Sequence, residues 1–168
     1  MTAPTMSDYD CGHPAACCIA SAVSPTESHM SNLASVLVAA SAAVVLGLGC
    51  VHLLFTFRGN RLNPRDDQLL ARMKVVSPVI TRQTTMWKAW VGFNASHSLG
   101  AMLFGLVYGY LALAEPSVLF GSWFLLVVGL AMLAGYVFLG WVYWFSVPFR
   151  GVALSACLYV AALLLHWF

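Results

Sequence analysis

WVGFNASHSLGAMLFGLVYGYLALA, residues 90–114, decides the architecture of this 168-residue chain. No Asp, Glu, Lys or Arg interrupts the run. It is long enough to cross a bilayer as a helix, which takes about 20 mostly apolar residues. Yet Asn94, Ser96, His97 and Ser98 crowd together inside it. An amide and an imidazole are poor neighbours for lipid, since unpaired polar groups cost several kcal/mol in hydrocarbon. At 3.6 residues per turn, Asn94, His97, Ala101, Gly105 and Tyr108 share one face, with Ser98 beside them. Ala101, Gly105 and Gly109 form a small-xxx-small series on that side, which lets another helix come close. The polar face is therefore expected to point into a bundle.

The rest of the chain agrees with a membrane setting. It is 61% hydrophobic and only 8% charged, against about 25% charged in an ordinary globular domain. Eight basic and six acidic side chains cannot cover a water-soluble fold of this length. Four spans are expected, at residues 32–57, 86–114, 117–145 and 151–168. The fold class is an all-α, four-helix transmembrane bundle, preceded by a flexible tail at residues 1–31. The tail and first span have no basic residue, so the positive n-region of a cleavable signal peptide is missing and span one is expected to remain as an anchor.

Basic residues set the orientation. Arg58, Arg61, Arg65, Arg72, Lys74 and Arg82 lie between spans one and two, Lys88 at the foot of span two, and Arg150 between spans three and four. With four spans, all of these fall on one side, which the lysine and arginine bias of short loops assigns to the cytoplasm. The expectation is a multi-pass protein of a bacterial inner membrane with both termini on the periplasmic side. Trp87, Trp90, Trp141, Tyr143, Trp144 and Trp167 stand near span ends, as interfacial aromatic belts do.

Between the first two spans, residues 63–76 read as a short amphipathic helix on the inner leaflet. Asn63 can cap it, Pro64 suits its first position, and Asp66 and Asp67 suit its positive end. Leu69, Leu70, Met73 and Val76 recur at helical spacing, with Arg72 and Lys74 off that stripe and near anionic lipid heads. Docking to a partner protein is the alternative use of such a helix.

The tail carries Cys11, His13, Cys17 and Cys18. Three thiols and an imidazole suit a soft metal, but the spacing matches no structural zinc pattern, and in an oxidising periplasm a disulfide is the simpler expectation. Cys17 and Cys18 would bond to each other only with strain, so Cys11 would pair with one of them. Cys50 and Cys157 read as small apolar packing residues.

His52 is the expected partner of His97. It shares a face of span one with Gly49 and Thr56. Counted from the nearest bases at 1.5 Å per residue, His52 and His97 lie roughly 9 and 14 Å deep, both in the inner half of the bilayer. Tyr136 in span three, and Ser155 or Tyr159 in span four, are further polar candidates for this interior.

The cluster admits three roles. It can be an interhelical network that fixes helix registry, as in a non-catalytic accessory or structural subunit. It can be a pocket for a lipid or another hydrophobic small molecule, lined by His52, Thr56, Ser98, Tyr108 and Tyr136. There His97 would act as acid or base and Asn94 would polarise a carbonyl or hydroxyl. Or His52 and His97 can be axial haem or metal ligands, against which stands the lack of any CxxCH motif. No cofactor is expected on balance. The partners expected are membrane lipids, a hydrophobic ligand, and a second copy or another membrane subunit. Nucleic acid is not among them, since no basic–aromatic surface occurs. Phosphate-loop, serine-elbow and HExxH motifs are also missing.

The runs WVGFNASHSLGAMLFG (90–105) and GLGCVHLLFTF (47–57) together resemble a family of small bacterial four-helix membrane proteins marked by GFNxSHSLG in the second span. The resemblance covers the four spans, implies the same fold and implies no particular activity. The cysteine-bearing tail lies outside it.

Overall fold

The computed structural model describes residues 25–167. Among them are six helices and no strand: α1 (Pro25–Phe57), α2 (Asp67–Val75), α3 (Met86–Ala114), α4 (Pro116–Phe120), α5 (Trp123–Tyr143) and α6 (Ser146–Trp167). The four long ones, with α1 counted from Met30, are apolar and long enough to cross a membrane. Most of their surface faces outward: Phe93, Leu103, Leu113, Phe124 and Phe138 are all exposed. Water would not tolerate so broad an apolar shell, whereas lipid does. The chain is a multi-pass helical membrane protein.

Small residues let the spans meet. A Cβ on Gly105 of α3 would fall 2.6 Å from Leu46 Cβ and 2.8 Å from the Ala42 carbonyl of α1, so the two backbones already touch. Gly49 of α1 returns the contact, its virtual Cβ lying 3.0 Å from the Ser98 carbonyl and 3.1 Å from Ala101 Cβ. The small-residue face read from span two is thus the α1–α3 seam. Helix α1 also packs closely on α6, and α6 on α5. The fourth seam, between α3 and α5, is wide. Side chains bridge it instead of backbones.

Several boundaries differ from expectation. Helix α1 begins at Pro25, inside the stretch assigned to the tail, and proline suits a first helical turn. The single third span, 117–145, is instead α4 and α5, broken at Gly121 and Ser122. There Ser122 Oγ accepts the Leu125 N–H at 3.4 Å and starts a new helix. Helix α6 begins at Ser146, not residue 151, because Pro148 falls in the first turn, where no N–H is needed. Arg150 therefore sits on the helix. The α2 cap is Asp66, not Asn63: its carboxylate accepts the N–H groups of Gln68 at 2.8 Å and Leu69 at 3.3 Å. Cys50 and Cys157 are exposed on the outside of the bundle. Cys50 follows Gly49, and one residue turns a helix by about 100°, away from the packed face. Cys11, His13, Cys17 and Cys18 lie outside the described residues.

Candidate functional site

The polar residues of the spans fall into two groups. The first closes seams. Ser41 of α1 and Ser155 of α6 lie back to back, their hydroxyls 2.7 Å apart. The Ser41 hydroxyl also approaches the Ser155 carbonyl at 2.8 Å, and the Ser155 hydroxyl the Ser41 carbonyl at 3.0 Å. Both are fully buried. Across the interior, the Tyr108 hydroxyl donates to the Leu125 carbonyl at 2.7 Å and Tyr159 to the Leu126 carbonyl at 3.2 Å. Gly129 makes room for both rings: a Cβ there would lie 2.7 Å from Tyr108 Cε1 and overlap the Tyr159 phenol. Tyr108, expected beside His97, thus belongs elsewhere. Its hydroxyl serves the opposite half of the bundle.

The second group surrounds His97. Asn94 Nδ2 donates to the Trp90 carbonyl at 2.8 Å, which orients the amide. Its Oδ1 then faces His52 Nε2 at 3.0 Å, so that nitrogen carries the proton and donates. Thr56 and Ser98 fold back onto their own helices, donating at 2.8 Å to the carbonyls of His52 and Asn94. Asn94 is therefore a brace for His52. The His52 ring meets the His97 ring edge to face at 5.5 Å between centroids. On its other sides His97 meets Tyr136 of α5 at 5.5 Å and Trp144 at 5.1 Å, both edge to face. The structure brings together His52, Asn94, His97 and Tyr136, and adds Trp144, which sequence position alone assigned to the interfacial belt.

Hydrogen bonding separates the groups. Among the described residues, neither ring nitrogen of His97 nor the Tyr136 hydroxyl has a hydrogen-bond partner. No fully sealed side-chain polar atom here is left unsatisfied, so these atoms are not completely enclosed, although Tyr136 as a whole is buried. They line the wide α3–α5 seam, where a Cβ on Gly100 would stand 3.5 Å from the Tyr136 hydroxyl. Nearby, a small cavity of about 10 Å³ lies between Phe55, Thr56, Trp90 and Asn94.

The arrangement offers a neutral donor–acceptor imidazole, a phenol and an indole face, set into an apolar wall. Among the described residues, no group of three or more His, Cys, Asp or Glu side chains gathers as a metal site would. His52 and His97 pack edge to face at 5.5 Å between centroids, and His52 Nε2 is engaged by Asn94 Oδ1.

Fold and site together define a four-span helical membrane protein with a cluster of polar and aromatic side chains between α1, α3 and α5. Compared with family models, curated proteins and solved structures, the chain matches none.

Proposed function

We propose that this protein, in a bacterial inner membrane with both termini on the periplasmic side, binds a lipophilic molecule bearing a polar group in the α3–α5 seam. One observation carries the reading: the half-buried His97 ring and the hydroxyl of the buried Tyr136 are unpaired among the described residues, while their neighbours are bonded. An unpaired imidazole inside a membrane span is costly, and a ligand that bonds it relieves that cost. The basic residues, which lie in the α1–α3 connection, at the foot of α3 and in the first turns of α6, support the orientation. Any proton transfer to the ligand would fall to His97, with Asn94 holding His52 behind it.

Purification in mild detergent, followed by mass spectrometry of retained lipids, tests this. Wild type is expected to hold a defined lipophilic species that His97→Leu loses while keeping its thermal stability. An identical lipid profile for both proteins would sink the proposal. That outcome would favour an accessory membrane subunit whose polar residues lock helices, a role for which the Ser41–Ser155 pair is the best structural support.

A further inference from the structure

Residues 76–85 connect α2 to α3 as a closed loop whose tip breaks the usual chemistry of turns. The Met86 N–H donates to the Val76 carbonyl at 2.8 Å and ties the neck. The Thr81 N–H donates to the Pro78 carbonyl at 3.2 Å, closing a tight turn with Val79 and Ile80 at its centre. The Gln83 N–H donates to Thr81 Oγ1 at 3.1 Å and supports the turn from the far side. Such positions favour Gly, Asn, Asp and Ser. Here they hold two branched aliphatic side chains, with Val79 fully exposed and Ile80 91% exposed. Val75 and Val76, also exposed, widen the apolar tip.

Charge says what the tip meets. Arg72, Lys74, Arg82 and Lys88 flank it, all exposed, and the stretch from residue 68 to residue 88 has no acidic residue. The neck is bonded to the first residue of α3, itself a membrane span that opens with Trp87 and Trp90. The base of the loop is thus tied to the end of a spanning helix. The geometry points to a membrane-anchoring prong: Val79 and Ile80 dip into the same leaflet whose acidic phospholipids are gripped by Arg72, Lys74, Arg82 and Lys88. The α2 stripe expected for this role from the sequence is only partly available. Leu70 and Met73 are half-buried, and Met73 shares a groove with Leu62 and Trp90. The prong replaces it, and does so whatever occupies the α3–α5 seam.

The test uses the full chain, freed of its native cysteines, with Val79→Cys carrying an environment-sensitive fluorophore. The protein is placed in nanodiscs of phosphatidylcholine, alone or mixed with phosphatidylglycerol. The expected result is a blue-shifted emission that bromine-bearing lipids quench, more strongly in the mixed nanodiscs. Ile80→Asp should return the emission toward its value in water. Replacing Arg72, Lys74 and Arg82 with glutamine should weaken insertion by about fivefold for each base that touches the acidic surface. Quenching by aqueous iodide in both lipid mixtures would overturn the proposal. Equal quenching by bromine in both would overturn the acidic-lipid assignment. A label shielded from iodide but untouched by bromine would show that a protein surface, not the bilayer, covers the tip, and would overturn it as well.

Discussion

The α1–α6 seam and the α3–α5 seam both carry polar side chains between apolar helices, and around Ser41 and around His97 they are built on opposite plans. At the α1–α6 seam, Ser41 and Ser155 are sealed from every side and bond each other's hydroxyl and carbonyl. Between α3 and α5, His97 meets the rings of His52, Tyr136 and Trp144, and neither its ring nor the Tyr136 hydroxyl has a hydrogen-bond partner among the described residues. The same physical cost, a polar group taken from water, is settled internally at one place and left open at the other. A polar residue in a membrane span is thus no sign of a site by itself. What marks a site is the missing partner, together with a route by which a partner can arrive.

The strongest way to break the contrast is to prise open a closed seam. Gly105→Leu places side-chain atoms where Leu46 and the Ala42 carbonyl already stand. Overpacking of this kind costs about 3 kcal/mol or more when backbones must separate. The variant should unfold at a much lower denaturant concentration in bicelles, or fail to accumulate. A Gly105→Leu protein of normal stability would mean that α1 and α3 do not pack as described.

A smaller effect is expected from the serine pair. Ser41→Ala and Ser155→Ala should each cost about 1 kcal/mol, in the range of interhelical hydrogen bonds in membranes. The double substitution should cost less than the two together, because each single change already removes the hydroxyl–hydroxyl contact and leaves the other serine only its bond to the opposite carbonyl. Strict additivity in unfolding measurements would show that the two hydroxyls do not act on each other. His52→Leu belongs at the same scale. It removes the donor to Asn94 Oδ1 and should cost about 1 kcal/mol, while also letting the His97 ring shift. Loss of the retained lipid in this variant at unchanged stability would move His52 from brace to direct ligand contact.

Much of this was readable from residues alone, and the failures have physical causes. Helical periodicity identified the face of α3 that packs, because Ala101 and Gly105 must meet another backbone and Asn94 must avoid lipid. It paired His52 with the Asn94–His97 region for the same reason. Periodicity reports direction around a helix, however, and says nothing of distance along it. Tyr108 shares a face with His97 but lies about 16 Å further along at 1.5 Å per residue, so its hydroxyl reaches a different helix and a different task. Trp144 was hidden by its position at a span end, where an interfacial role is the usual one. The short turn to Ser146 folds it back onto His97 instead. The break at Gly121–Ser122 was hidden by apolar residues on both sides. A serine cap is a local hydrogen bond that hydropathy does not register. Val79 and Ile80 sit in a loop, where no period exists to read.

The smallest expected effect is also the sharpest test of the contrast, because it applies one change to two tyrosines of the same interior. Tyr108→Phe deletes a hydroxyl bonded to the Leu125 carbonyl and should cost about 1 kcal/mol, since that carbonyl loses a donor in a dry environment. Tyr136→Phe deletes a hydroxyl that no protein group accepts from or donates to. Nothing in the folded chain loses a bond, so stability should stay within about 0.5 kcal/mol of wild type. Retention of the lipophilic ligand should move the other way: unchanged for Tyr108→Phe, and weakened by about fivefold for Tyr136→Phe if one neutral hydrogen bond to the ligand is lost. Stability is read by unfolding in bicelles and retention by mass spectrometry on the same preparations. If Tyr136→Phe destabilises the bundle as much as Tyr108→Phe does, the Tyr136 hydroxyl has a structural partner and the α3–α5 seam is closed like the others.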